Sequence, residues 1–193
     1  MKTRLLIAVS GSVLALGACN KSSQVTTNAT NATDTNMAMD NGMAPNGMAE
    51  AGPLTAQGFA NTAAASDRFE IESSRLAAAS ASSAAVKSFA DKMVSAHSAS
   101  TAKLKSTLAG MSPALTPDDT LTAEQQSTLD GLKGKTGADF DTAYAAAQVD
   151  AHQKALDALK GYSASGDNAA LKSFADGLIP TVTAHLNMAK GLK

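Results

Sequence analysis

Apolar and small residues recur at three- and four-residue intervals over most of the chain after residue 54. This spacing is typical of one face of an α-helix. It predicts four long helices, at about 55–80, 83–110, 136–162 and 167–190. Pro113 and Pro117 end the second helix, and a short helix to about residue 134 follows, with Thr122 and Gln125 in capping-box spacing. Pro180 lies inside the fourth long helix and is expected to kink it.

A faint internal repeat relates the two halves of this helical region. Residues 85–91 (AVKSFAD) resemble residues 170–176 (ALKSFAD). The repeat unit is a helical hairpin used twice, and two packed hairpins form an up-down four-helix bundle. Aromatic residues make up only 4% of the chain, which disfavours strands. We therefore predict an all-α bundle over 54–193, with Thr136 and Asp167 as N-caps of the third and fourth helices.

The N-terminal segment has the features of an export signal. Lys2 and Arg4 precede an apolar run, which ends in small residues before Cys19. This arrangement resembles the lipobox of bacterial lipoproteins, so residues 1–18 are predicted to be a cleaved signal peptide. Cys19 would then carry the acyl chains, and as the only cysteine it has no partner for an intramolecular disulfide. Asn20 follows it, where Asp would suggest inner-membrane retention, so we expect a periplasm-facing protein anchored to the outer membrane.

Residues 19–53 are expected to form a disordered tether, because they are polar and contain no aromatic residue. The tether contains Met37, Met39, Met43 and Met48. Thioethers can bind Cu(I) or be oxidised sacrificially. We favour the interpretation that these methionines belong to a low-complexity segment and have neither role.

The charge balance excludes some partners. The whole chain has 16 basic and 17 acidic residues, and removal of the signal peptide would leave 14 basic residues. A net charge near −3 is too weak to direct the protein to nucleic acid. The predicted membrane contact is through the lipid anchor, and the sequence identifies no protein partner.

One acidic residue and all three histidines of the chain fall on the inward faces of the four long helices, or at their margin. They are Glu70, His97, His152 and His185. Imidazole suits Zn, Cu, Fe or Ni, so these residues are candidate ligands of a single transition metal ion. Gln148 lies at the same edge as His152 and is a candidate supporting residue. Counted along straight helices, His185 is displaced from the other three by about 8 Å.

The same residues have a simpler interpretation. Helical bundles contain core histidines that only bond a neighbouring side chain, and Glu70 and His97 could form such a pair. On that interpretation, which we favour from the sequence, the protein is a non-enzymatic binding or stress-protection protein of the envelope. The alternative is a mononuclear metal-binding protein, with or without redox activity.

Several motifs in order resemble domain-of-unknown-function family 4142, a bacterial family of exported proteins with a ferritin-like bundle. The motifs are residues 65–72 (ASDRFEIE), 93–97 (MVSAH) and 140–144 (FDTAY), followed by Gln148, His152, Pro180 and His185. The resemblance covers about 55–192. It implies the fold, and it brings no settled activity with it.

The chain departs from two related patterns. The family usually has Asp before the histidine of the second helix, where this chain has Ala96, so a neighbouring carboxylate for His97 is missing. Ferritin-like di-iron proteins carry Glu three residues before their histidines. Val94 and Val182 stand at those positions, which argues against a di-iron oxidase.

Overall fold

The computed structural model describes residues 54–192 as five helices. Their bounds are α1 (Ala56–Ser80), α2 (Ala84–Ala109), α3 (Ala123–Lys133), α4 (Gly137–Ser165) and α5 (Ala169–Lys190). The prediction of an all-α fold with a short helix before the third long one is confirmed. The predicted signal peptide 1–18, Cys19 and the whole tether 19–53 lie outside the described residues. None of the described helices is long and apolar enough to cross a membrane.

Side-chain caps set where several helices begin. The Thr55 hydroxyl accepts a hydrogen bond from the backbone N–H of Gly58 in α1. The predicted capping box is present, because Thr122 and Gln125 each accept a bond from the other's backbone N–H. Thr136 is the N-cap residue of α4 as predicted, but its side chain makes no capping bond.

The turn between α4 and α5 differs from the prediction. The N-cap of α5 is Asn168, whose side chain accepts bonds from two backbone N–H groups. Asp167, the predicted cap, instead accepts a hydrogen bond of 2.8 Å from the Tyr162 hydroxyl. Helix α4 continues to Ser165, three residues beyond its predicted end, and α5 runs through Pro180 as one helix.

The four long helices form two hairpins that pack together. Helix α1 packs against α2, and α4 against α5; the hairpins then meet through α1 with α4 and through α2 with α5. The short α3 lies in the connection between α2 and α4 and contacts α1 and α4. This is the up-down four-helix arrangement that the repeat predicts.

Two apolar clusters fill the bundle. One contains stacked Phe59 and Tyr162, whose ring centroids are 4.1 Å apart, and the other contains Phe140 stacked on Tyr144. On each of α1, α2 and α4, one part of the helix contributes to the first apolar cluster and another part contributes to the second. Buried polar residues lie between these two parts. The set comprises Asp67, Glu70, Ser73, Ser74, His97, Gln148 and His152. The bundle therefore encloses a layer of buried polar residues between the two apolar clusters. Each of these polar groups needs a hydrogen-bond partner, because burying it without one is costly.

Candidate metal centre

Three buried imidazoles meet in this layer, one each from α2, α4 and α5. The ring centroid of His97 lies 5.6 Å from that of His152 and 5.8 Å from that of His185, and the last two are 5.5 Å apart. One ring nitrogen of each histidine lies within 4.8 Å of one nitrogen of each of the others. Within residues 54–192, this is the only group of His, Asp or Glu side chains close enough to hold a metal ion.

The position of His185 corrects the axial estimate made from the sequence. Because α4 continues to Ser165, His152 lies about 20 Å from the turn rather than about 17 Å. Helix α5 begins at Ala169, which puts His185 about 24 Å from the same turn. The remaining offset is about half of the predicted 8 Å, and the two rings are in contact.

His97 is oriented by an aspartate on the neighbouring helix. Its Nδ1 atom lies 2.8 Å from Oδ1 of Asp67, and both side chains are buried. The second carboxylate oxygen of Asp67 accepts a bond of 3.1 Å from the Thr101 hydroxyl. Because a carboxylate only accepts, Nδ1 of His97 carries the proton when the ring is neutral, and the lone pair is on Nε2.

His152 is oriented by its own helix. Its Nδ1 atom donates a hydrogen bond of 2.8 Å to the backbone carbonyl oxygen of Gln148, one turn earlier in α4. A carbonyl oxygen cannot donate, so the neutral ring again has its lone pair on Nε2. Two of the three imidazoles are thus held in the tautomer whose Nε2 lone pair is free to bind a metal ion.

Each of the three rings retains one buried nitrogen without a hydrogen-bond partner. These atoms are Nε2 of His97, Nε2 of His152 and Nδ1 of His185. Buried polar atoms are normally paired, so three such atoms within one cluster require an explanation. A bound metal ion would satisfy all of them at once, because imidazole nitrogens coordinate Zn²⁺ at about 2.0–2.1 Å.

Glu70 lies beside this group and is not a member of it. Its Oε1 atom is 3.5 Å from Nδ1 of His152, the ring nitrogen that bonds the Gln148 carbonyl oxygen. Its Oε2 atom is buried without a partner. Burial raises the pKa of Glu70 to about 7, although the charge of His97 and the nearby Gln148 side chain act against this shift. The assignment of Glu70 as a direct ligand stays a prediction.

The hydrogen-bonded pair that the sequence left possible, Glu70 with His97, is not the pair that forms. Asp67 bonds His97, whereas Glu70 faces His152. Sequence reasoning missed Asp67, although it lies three residues before the inward-facing Glu70 on the same helix face. It supplies from α1 the carboxylate that Ala96 does not supply from α2.

Gln148 supports His152 through its main chain rather than its side chain. The Nε2 atom of Gln148 donates a bond of 3.3 Å to the Ser73 hydroxyl. Its Oε1 atom is buried without a partner in the described structure. The predicted supporting role therefore belongs to the backbone carbonyl, which does not depend on this side chain.

Burial controls the charge of two imidazoles. It lowers the pKa of His152 to about 4, and it lowers the pKa of His185 to about 4, with the charge of His97 adding to both effects. Burial also acts to lower the pKa of His97, but the bond to Asp67 and the nearby charge of Glu70 raise it overall. His152 and His185 are therefore neutral at pH 7, as metal binding requires.

The arrangement can hold one ion with three imidazoles. Tetrahedral coordination at about 2.05 Å brings the ligand nitrogens to about 3.3 Å from one another. The observed separations, within 4.8 Å, would therefore close on metal binding. Three protein ligands leave at least one coordination position for another group.

Comparison with known proteins identifies both the fold and the family. A solved structure described as "CopM in the Cu(II)-bound form" is similar to this chain, with a TM-score of 0.60 and 16% sequence identity. The similarity covers 71% of this chain and 94% of that one. No curated protein sequence matches the chain. The profile of the domain of unknown function DUF4142 matches residues 24–192. The chain therefore belongs to the DUF4142 family, as its motifs indicate.

Proposed function

We propose that this domain binds one transition metal ion through His97, His152 and His185. Two observations carry the proposal: one nitrogen of each of three buried imidazoles lies within 4.8 Å of the others, and each of these rings has a buried nitrogen without a hydrogen-bond partner. Two of these rings are held by hydrogen bonds that leave the lone pair on Nε2. A purely structural role would leave these nitrogens unsatisfied, at a cost of about 1–3 kcal/mol each.

Cu(II) is the ion that we propose first. Nitrogen ligands bind divalent ions more tightly along the series from manganese to copper, and Zn²⁺ binds more weakly than Cu²⁺. The structural neighbour CopM is described with Cu(II) bound, which supports the choice although the likeness itself concerns the fold. Zn(II) is the natural comparison because it also accepts a set of three imidazoles.

Equilibrium dialysis against Cu(II) and Zn(II), followed by elemental analysis, tests the proposal. We expect about one ion per chain in the wild-type protein. We expect His185→Phe and His152→Phe to lose at least about tenfold in affinity, because each removes one of three ligands. Tyr144→Phe is a matched control, since it removes a buried aromatic polar group that bonds Ser74 and not the histidines.

Thermal unfolding provides a second measurement. An ion that binds only the folded state stabilises it by about 2.7 kcal/mol when its free concentration is 100 times Kd. We expect this increase in wild-type and Tyr144→Phe proteins and not in His185→Phe. Wild-type protein that binds no stoichiometric metal and shows an unchanged Tm would refute the proposal.

We further propose that this centre acts in the cell envelope as a binding site, and we assign no reaction to it. Sequestering a reactive metal ion is one form of stress protection, so the two functions considered from the sequence are compatible. The support for the location is the lipobox-like sequence before Cys19. Labelling of cells with a radioactive fatty acid should mark the wild-type protein, and Cys19→Ser should lose both the label and the outer-membrane fractionation.

A further inference from the structure

A cavity of about 60 Å³ lies against the histidine centre, and residues from all four long helices line it. Its lining includes Thr62 and Thr181, which are exposed, and His97 and His185, which are buried. It is therefore a passage from the surface of the bundle to two of the three proposed ligands. His152 does not line it, so the cavity approaches the centre from one side.

The walls of this passage are mostly apolar. They include Phe59, Ala63, Ala155, Leu159, Leu178 and Val182. The one carboxylate in the lining, Asp67, already accepts bonds from His97 and Thr101. Such walls offer little compensation for the lost hydration of a strongly charged molecule, and they suit a small molecule that sheds its water easily.

We propose that this passage delivers a weakly hydrated ligand of two or three atoms to an open coordination position on the metal ion. The inference rests on the proposed function, because the metal supplies the bond that would retain the ligand. The position is open because the protein contributes three imidazoles, and a metal site with three protein ligands keeps a place for an external group. Ligand binding of this kind is reversible and requires no electron transfer.

The size of the passage sets which ligands can enter. A dry protein cavity of about 150 Å³ admits benzene. The present cavity has less than half that volume, so we expect it to admit a linear triatomic ion and to exclude a five-membered ring. Azide and imidazole are therefore the two probes, since both coordinate Cu(II) when access is free.

The first experiment blocks the passage without altering a ligand. Ala158 is half-buried in the lining, and Ala158→Leu would place three more carbon atoms there. Ala146→Leu is the matched control, because it makes the same change at an exposed position of the same helix. Azide is titrated into the copper-loaded full chain, and its binding is followed by the electron paramagnetic resonance and absorption spectra of Cu(II).

We expect azide to bind wild-type and Ala146→Leu proteins with equal affinity. Ala158→Leu should weaken azide binding at least about tenfold. The Cu(II) affinity of Ala158→Leu should stay within about threefold of wild type. Equal azide binding by all three proteins would overturn the proposal that the ligand reaches the metal through this passage. If azide leaves the copper spectrum of the wild-type protein unchanged, the proposal of an open coordination position is overturned. The proposed metal site would still stand in that case. Failure to bind copper would instead overturn the proposed function, and this inference with it.

The second experiment widens the passage. Leu178 lines the cavity seven residues before His185, and Leu178→Ala would remove most of its side chain. We expect imidazole to change the Cu(II) spectrum of Leu178→Ala and to leave that of wild type unchanged. Imidazole that binds wild-type protein as strongly as the variant would contradict the size limit, because the ligand would then reach the metal by another route.

Discussion

Nδ1 of His97 donates a hydrogen bond of 2.8 Å to Oδ1 of Asp67 across the interface of α1 and α2, where both side chains are buried. The bond fixes the ring orientation and leaves Nε2 free. A carboxylate in this position also makes the imidazole a stronger ligand, because it stabilises positive charge on the ring. Asp67 is therefore a positioning residue of the proposed centre.

Asp67→Asn should weaken Cu(II) binding about 10- to 100-fold, which is the usual effect of losing a group that supports a metal-bound histidine. The amide retains an acceptor for His97, so the loss should come from the missing charge. Competition titration against a chelator of known affinity measures it. Asp141→Asn is the control, because Asp141 is also buried but bonds Ser82 and Ser83. Equal losses in both variants would indicate a general effect of destabilisation.

Much of this centre could be predicted from helical periodicity. The pattern placed His97 and His185 on inward faces because burial along a helix repeats every three or four residues. The offset predicted for His185 was too large because the third long helix was expected to end at about Tyr162, whereas α4 continues to Ser165. In the structure Gly161 lies inside α4, where packing against the bundle outweighs the low helix propensity of glycine.

The pairing of polar groups across helices could not be predicted in the same way. Asp67 and His97 meet because α1 and α2 have a particular rotation and stagger, which a pattern on one helix does not contain. The absence of a carboxylate at Ala96 suggested that His97 lacked support, yet the support comes from a neighbouring helix. Local sequence can thus show that a polar residue is inward, while its partner depends on tertiary packing.

Glu70→Gln distinguishes a ligand from a neighbour. The structure places Glu70 against Nδ1 of His152 and outside the three-nitrogen group, so we expect the variant to bind one Cu(II) with affinity within about threefold of wild type. The same dialysis experiment measures it. A loss of more than tenfold would instead make the Glu70 carboxylate a direct ligand, as the sequence pattern suggested.

The same substitution should change the pH dependence of stability. The folded-state pKa of Glu70 is about 7 against 4.5 for the unconstrained group, so the folded state holds this proton more tightly. The contribution of Glu70 to the free energy of unfolding of the wild type is therefore present at low pH. It is lost as the pH rises from about 4.5 through 7. Metal-free Glu70→Gln should therefore gain stability relative to wild type between pH 5 and 8, by an amount of order 3 kcal/mol. Urea unfolding at each pH measures it.

Metal-free protein should also be sensitive to acid through His185. Its pKa is about 4 when folded and 6.5 when unconstrained, so below pH 6.5 the unfolded chain binds a proton that the folded chain does not. The resulting stability is complete above pH 6.5 and is lost as the pH falls toward 4. In urea unfolding, His185→Gln should reduce the slope of unfolding free energy against pH by up to about 1.4 kcal/mol per unit. An unchanged slope would contradict the assignment of a neutral, buried His185.

Gln148→Met tests whether support for His152 comes from the main chain. The backbone carbonyl that accepts the bond from Nδ1 of His152 remains in the variant, so Cu(II) affinity should stay within about threefold of wild type. Unfolding stability should change little, because the variant loses one bond to Ser73 but also removes a buried, unpaired oxygen. Chelator competition and urea unfolding measure the two quantities. A tenfold loss of affinity at unchanged stability would show that the Gln148 side chain itself positions the metal ligand, and the tautomer of His152 would then need a different explanation.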